Sequence, residues 1–499
     1  MKSHRQNSSG TLSRRRFLQT STLAAGAVAF GVPTLLRAAN LNSKLNIACI
    51  GVMGKGESDS NYCAGENIIA LCDVDAERAR KQREKYPDAK FFQDYRQLFA
   101  EVGGQIDAVT VSTPDHMHAL IASLAMSRGK HVYCQKPLVQ TIYEARYLKN
   151  LAHTKNVVTQ MGNQGSAADG LRRAVEVIQG GVIGQVREVH IWTNRPVWPQ
   201  GLERPEGSDP VPETLAWDLW LGCAPARPFK KGVYHNFNWR GWLDFGTGAL
   251  GDMACHTVNM PFRALNLGYP TEIEATPMAP MNKETYPLGS KIRFEFPARK
   301  TQLAAAQPSF FHRHDTLAQA ACTFTWYDGG RPDASAPNGH DFSNKPPKEL
   351  LADIEASQGE VPNSACLIIG DGGKIFSPDD YGEQFFIKLN DDKKFVHYKK
   401  HPAASEAKIP QRLPRNPFKG STDERQHLEW LDAVKKGNPE LCYSRFAIGA
   451  QLTEIMLLGC VSLRTGKKLE WDGPNMRATN CPEAAPFIKR ENRAGWALA

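Results

Sequence analysis

Apolar residues follow two different rhythms along the chain, and the change between them divides it. From Leu45 to about Gly165, short runs that are hydrophobic on both faces alternate with amphipathic stretches. The runs Leu45–Gly51, Asn67–Cys72, Ala108–Ser112, His131–Cys134 and Val157–Met161 predict strands. Ala76–Tyr86, Asp94–Phe99, His116–Arg128 and Ile142–Lys155 predict the helices between them. Strands apolar on both sides need cover on both sides, so residues 44–165 predict an α/β domain built on a parallel sheet.

Beyond Gly165 the texture changes. One helix, Gly170–Gln179, leads into alternating strands at Val186–Asn194, Glu272–Pro277, Lys291–Phe296, Thr323–Tyr327, Cys366–Ile368 and Phe395–Lys399. They predict an α+β domain over residues 166–470, with an open, mixed and largely antiparallel sheet, and a tail over 471–499. Loops rich in Pro and Trp (Pro196–Pro228) and in Pro, Asp and Asn (Gly330–Pro347) interrupt it, and Asp423–Lys436 and Arg445–Thr465 read as helices.

Charge alters this picture only at the N-terminus. The formal charge is +9, but Lys2, Arg5, Arg14, Arg15, Arg16 and Arg37 precede any acid, which leaves +3 on the remainder. With no Lys/Arg cluster interleaved with aromatics, nucleic acid is not an expected partner. Ser13-Arg14-Arg15-Arg16-Phe17-Leu18, followed by an uncharged run to Leu36, resembles a twin-arginine export signal over residues 1–39. The expectation is a periplasmic protein handled by the twin-arginine machinery, with a retained membrane anchor as the alternative. Gln19 and Pro33 make the run a poor span, and no later segment is expected to cross a membrane. The 11 cysteines are scattered without a CxxC pair, several inside apolar strands, and read as buried free thiols.

Four segments carry chemistry. The first is Ile50-Gly51-Val52-Met53-Gly54-Lys55-Gly56, a turn from strand to helix, with Asp73 following the second strand 22 residues after Gly51. Glycines in such a turn let the backbone approach a pyrophosphate at a helix N-terminus, while the acid accepts hydrogen bonds from a ribose. Asp73, with no Arg directly after it, favours NAD over NADP. Met53 stands where the middle glycine of a G-x-G-x-x-G pattern belongs. The second segment, Thr113-Pro114-Asp115-His116-Met117-His118, ends a parallel strand and so faces the ligand crevice, or simply caps the next helix. The third is Gln135-Lys136-Pro137, a lysine at the end of a buried strand, suited to a substrate hydroxyl or to an ion pair. The fourth is Gly251-Asp252-Met253-Ala254-Cys255-His256, where an Asp and a His at i and i+4 share a helix face, as an acid/base pair would or as helix cap and core histidine would. Without HExxH or a Cys/His cluster, no metal site is predicted.

In this order, the glycine-rich loop, the QKP strand end and the GDxxxH helix resemble the Gfo/Idh/MocA family, which includes glucose–fructose oxidoreductase and inositol dehydrogenase. The resemblance runs over nearly the whole chain after the leader. It implies a Rossmann domain holding NAD(P) through Gly51, Met53, Gly54, Lys55, Gly56, Asp73, Thr113, Pro114, His118, Gln135 and Asn163. It also implies that Lys136 holds the reacting hydroxyl, that His256 is the acid/base, and that Asp252 binds substrate or tunes His256. Asn163 and Gln164 would lie beside nicotinamide and substrate, and the second domain's sheet would build a homo-oligomer. Gln135 replaces the family's commoner Glu, and Asn259, a further substrate-side position, its commoner Asp. Trp192, Trp198, Tyr234, Trp239 and Trp242 fall near Arg195 and Arg240, a composition suited to stacking and hydrogen-bonding a sugar or cyclitol, or to packing loops.

These expectations amount to hydride transfer between NAD(H) and a secondary alcohol. A glycosidase or lyase that recycles a bound NAD, and a binding protein without catalysis, are the competing readings. Met53→Gly is expected to tighten NAD binding, as read by a dinucleotide titration. Unchanged affinity would mean that the loop accommodates the methionine.

Overall fold

The computed structural model describes residues 43–302 and 316–499, so the leader read over residues 1–39 lies outside the described residues. Six short strands come first: β1 (Asn46–Ile50), β2 (Asn67–Cys72), β3 (Lys90–Phe92), β4 (Ala108–Val111), β5 (His131–Gln135) and β6 (Thr159–Gly162). They pair in parallel in the order β3-β2-β1-β4-β5-β6. The order reverses between β1 and β4, and a crevice opens there at the strands' carboxyl ends. Only β3 was not anticipated, because three residues give no periodicity.

Helices α1 (Lys55–Tyr62), α2 (Arg80–Lys85), α3 (Tyr95–Glu101), α4 (Asp115–Ser127) and α5 (Ile142–Lys155) join the strands. Helix α5 starts from a capping box, in which Thr141 accepts from the Glu144 amide and Glu144 returns a bond to the Thr141 amide. Ile121 and Leu148 join one apolar cluster with Val109 and Val132, while Cys63 and Ala79 join another with Ile47, Cys49 and Leu71. The second cluster also contains Trp430, Leu431 and Val434, far along the chain.

The second domain begins with α6 (Asp169–Gln179) and β7 (Val186–Thr193). It continues through α7 (Trp217–Leu221), α8 (Gly248–Thr257), α9 (Asn259–Ala264), β8 (Glu272–Pro277), β9 (Gly289–Phe296), β10 (Arg299–Gln302), β11 (Thr316–Gln319) and β12 (Cys322–Gly329). Helix α10 (Lys348–Gln358) precedes β13 (Ala365–Gly370), β14 (Gly373–Ser377), β15 (Phe386–Leu389) and β16 (Val396–His397). The chain closes with α11 (Thr422–Lys435), α12 (Phe446–Thr465), β17 (Leu469–Asp472), β18 (Arg477–Ala478) and α13 (Ala485–Ile488). Ten strands form one open sheet, β16-β15-β14-β13-β7-β12-β9-β8-β17-β18, antiparallel except for the β7–β12 pair.

Several boundaries move. The strand expected at Phe395–Lys399 shrinks to β16, and β14 and β15 extend the sheet past Ile368 because Asp371 and Gly372 turn the chain back. Residues 471–499 are more than a tail, since they complete β17 and supply β18, the strand at one edge of the sheet. Helix α10 lays Leu351 and Ile354 against Trp192 and Phe376 on one face of that sheet. Helix α12 has the length and apolarity of a membrane span, but 83% of its most apolar window is buried in the interior. All 11 cysteines are free and buried, as their setting in apolar runs implies.

One buried ion pair ties α6 to α11. Arg172, 2% exposed, donates to Glu429 Oε2 at 2.5 Å and to the carbonyls of Ser166 and Pro414, with its guanidinium over the Tyr443 ring. Arg172→Ala leaves the Glu429 charge without its partner, and should cost roughly 3–5 kcal/mol, read as a lowered urea midpoint. A midpoint within error of wild type would show that Glu429 finds other compensation.

Candidate active site

Strand β1 is followed by Gly51, whose φ of +75° turns the chain toward α1. A Cβ on Gly51 would lie 2.6 Å from the Ser112 oxygen, and one on Gly56 1.9 Å from the Gly51 oxygen. These two close approaches are the first and last glycines of the dinucleotide pattern. Gly54, at φ +61°, precedes α1, and a Cβ there would meet no atom within 4 Å, which leaves room for a phosphate at the helix N-terminus. Asp73 Oδ2 accepts the Val52 amide and Oδ1 the Asp75 amide, both at 3.0 Å. The carboxylate therefore shapes the loop and still has lone pairs for a ribose. Burial raises its pKa.

A cavity of about 310 Å³ runs from this loop along the crevice. Gly51, Met53, Gly54, Lys55, Asp73, Thr113, Pro114, Gln135, Lys136, Asp252, Trp239 and Arg240 line it, whereas Gly56 and His256 do not. The glycine cradle, the open space before α1 and the paired Asp73 together fit a dinucleotide.

At one end stands a charged cluster. Lys136 Nζ donates to the Asp252 backbone oxygen at 2.8 Å and to Asp252 Oδ1 at 2.9 Å, and Arg240 Nε donates to the same Oδ1 at 3.3 Å. Burial alone would raise the Asp252 carboxyl, but Lys136 and Arg240 hold it down at about 2. The expected Asp252–His256 pair is electrostatic only, the Asp252 charge raising the His256 pKa against burial and Lys136. The two side chains share a face of α8, but the carboxylate is committed to Lys136 and Arg240, and no hydrogen bond joins it to the imidazole.

His256 packs edge-on against Tyr381, with ring centroids 5.0 Å apart, and its Nδ1 is buried without a partner. Burial first, then the nearby Lys136 charge, pushes its pKa well below the usual histidine range, so the ring is neutral. The charges of Lys55 and Arg195 act on it in the same direction.

Other assignments change. His118 is a clamp rather than a cavity residue. Its ring nitrogens lie 2.9 Å from the Pro137 oxygen and 2.7 Å from the Thr113 oxygen, binding together the loops after β4 and β5. Asn163 is not free for a cofactor, since it donates to the Cys255 oxygen and accepts from Ser166 and Ser444. Asn259, read as a substrate contact, is spent on Ser166 and Arg263. Gln164 is buried in the turn after β6 and Arg195 donates to Asn194, so neither lines the cavity. Trp192, Tyr234, Trp239 and Trp242 all pack in apolar clusters, and Trp239 together with Phe237 also flanks the Arg240 guanidinium, at 4.4 and 4.3 Å.

Behind the glycine loop, Asp59 accepts from Ser112 at 2.6 Å and from Gln135 at 2.9 Å, with His427 Nε2 at 3.3 Å. His427 and Lys55 hold the Asp59 carboxyl below its usual range despite full burial. Asp59, Asp423 and His427 bring three possible metal-ligand atoms within 4.8 Å of one another. The Lys55 ammonium already lies 2.5 Å from Asp423 and 3.3 Å from Asp59, so a cation is built in.

Sequence reasoning missed Asp115 and Tyr381. Asp115 was read as part of a crevice-facing or helix-capping segment and given no role of its own, yet Oδ2 accepts from Thr247 and the side chain lines the cavity. Its adjacency to Thr113-Pro114 was the available signal. Tyr381 comes from a loop whose neighbour in space is set only by the tertiary fold.

Residues 45–163 match the Gfo/Idh/MocA model described as an oxidoreductase family NAD-binding Rossmann fold, and residues 181–268 match that family's C-terminal alpha/beta domain. An inositol 2-dehydrogenase from Salmonella paratyphi B is 30% identical over 152 residues, 30% of this chain and 44% of that protein. A levoglucosan dehydrogenase from Pseudarthrobacter phenanthrenivorans is 24% identical over 214 residues, 42% of this chain and 46% of that one. The chain thus matches less than half the length of these curated relatives. A levoglucosan dehydrogenase in complex with NADH and levoglucosan superposes with a TM-score of 0.53 at 17% identity, covering 86% of this chain and 99% of that one. An inositol dehydrogenase homologue from Azotobacter vinelandii, complexed with NADH and myo-inositol, gives 0.53 at 16% identity, covering 86% and 98%. At such identities the likeness is one of fold.

Burial holds the Asp115 carboxyl at about 7, against the Thr247 hydrogen bond that lowers it. A carboxyl raised in the folded state stabilises while protonated, and that stability is lost as pH rises through the folded value. Wild type should therefore lose roughly 1.4 kcal/mol between pH 6 and 8 that Asp115→Asn does not lose, measured by paired unfolding curves. Parallel pH dependence in both proteins would mean that Asp115 is already ionised at pH 6.

Proposed function

We propose that this protein is an NAD-dependent oxidoreductase acting on a secondary alcohol of a sugar or cyclitol. The observation that carries the reading is the meeting of Lys136, from the end of β5, with Asp252 of α8, at one end of a cavity floored by the Gly51–Gly56 loop and Asp73. His256 follows on the same face of α8. When bound, NAD supplies the hydride acceptor or donor.

The protein's own groups handle the proton. An ammonium has three N–H donors, and Asp252 takes two of those on Lys136, which leaves one for the reacting hydroxyl. The charge of Lys136 stabilises the developing alkoxide, and Asp252 keeps that charge in place. His256, neutral and with Nδ1 buried, exchanges the hydroxyl proton at Nε2. Arg240, flanked by Trp239 and Phe237, adds a hydrogen-bonding edge beside flat aromatic faces, which suits a polyhydroxylated ring. The named substrates of the levoglucosan and inositol dehydrogenase relatives support the same class. The Asp73 carboxylate disfavours a 2′-phosphate and so favours NAD over NADP. The export-type leader and assembly through the second sheet are part of the same proposal.

A second reading, glycoside cleavage with the cofactor cycling in place, is favoured by one observation. Leu219, Trp220, His235, Phe237, Trp239 and Arg240 of the second domain wall the cavity, so a dinucleotide there would be enclosed.

Lys136→Ala and His256→Ala should each lower turnover by at least about a hundredfold, with NAD affinity within about twofold of wild type. The assay follows NADH on a panel of cyclitols and anhydrosugars, together with aglycone release from glycosides. Undiminished turnover in both variants would overturn the assignment. Aglycone release without net NADH would select the second reading.

A further inference from the structure

The segment after α13 leaves the second sheet and crosses the first domain. Arg490 donates to Glu144 Oε1 at 2.9 Å and to the His116 oxygen at 2.7 Å. Arg493 donates through Nε to the Gly222 oxygen at 2.9 Å, and its amide to the Cys223 oxygen at 3.0 Å. The Ala499 amide reaches Ser123 Oγ at 3.2 Å. These bonds fix the segment across α4, α5 and the turn after α7, and both matched family stretches end well before it.

Between the anchors, Trp496 is turned inward. Its side chain is only 7% exposed and lines the cavity, at a wall shared with Tyr95, Ile121 and Leu219. Its ring centroid lies 6.4 Å from that of Tyr95, and the Arg96 guanidinium covers it at 4.3 Å. Tyr95 follows β3, and Asp73 at the end of β2 lines the same cavity. In a doubly wound sheet this is the adenosine side, since the acid after the second strand meets the ribose. An aromatic and aliphatic wall just beyond a ribose-binding acid suits a flat, weakly polar heteroaromatic ring.

We propose that Trp496 is a cofactor-binding residue that supplies the adenine wall of the dinucleotide site, held there by Arg490 and Arg493. The inference rests on the NAD-binding reading above. An indole face against a base typically contributes about tenfold or more in affinity.

Calorimetric titration of the full chain, freed of co-purifying nucleotide, with NAD, ADP-ribose and nicotinamide mononucleotide tests it. Trp496→Ala should weaken NAD and ADP-ribose about tenfold and leave the mononucleotide, which lacks adenine, unchanged. Trp496→Phe should retain most of the affinity. NAD binding by Trp496→Ala at wild-type strength, or an equal loss for the mononucleotide, would overturn the proposal. A wild-type protein that binds neither NAD nor ADP-ribose would instead overturn the functional reading on which it rests.

Discussion

The Lys136 ammonium and the Asp252 carboxylate meet 2.9 Å apart, both largely buried, and each belongs to a different domain. Burying two charges is costly unless their remaining hydrogen-bonding capacity is satisfied. Here the Asp252 backbone oxygen takes a second Lys136 proton and Arg240 a second line to the carboxylate, so few arrangements of β5 and α8 are compatible with the pair. The pair fixes where His256 stands, one turn along the same helix, and places this charged end of the crevice at the domain junction.

Much of this was legible because it is local. Strand–helix alternation with two-sided apolar strands specifies a parallel sheet, and β2 and α5 have the bounds their periodicity implies. The loop glycines, Asp73 and Lys136 sit at strand ends whose direction follows from topology, so their convergence could be argued before any coordinates. What could not be read was partnership. Asp252 and His256 share a helix face, which suggested a pair, but a lysine 116 residues away offers the carboxylate a full opposite charge and takes it. Asn163 and Asn259 lie near the chemistry in sequence, yet both are consumed by the Ser166 network.

The aromatic loops show the same division between composition and placement. Tryptophans and arginines in one stretch suggested ring recognition, and Trp239 with Arg240 does line the cavity. Tyr234 and Trp242 instead pack with Trp220 and Phe245, building the rigid loop that carries the others. Which tryptophan faces inward depends on contacts between residues far apart in sequence, and hydrophobic pattern carries no record of those.

The apolar cluster on one face of the parallel sheet has a consequence for the order in which the protein can form. Ile47, Cys49, Leu71 and Ala108 are covered there partly by Trp430, Leu431 and Val434 of α11. A ribosome has therefore delivered every strand of that sheet long before it delivers the helix that shelters them. Until then the nascent nucleotide-binding half exposes a greasy flank, and its closure waits on a contact of very high sequence separation. The two halves are distinct in architecture, but they complete folding together.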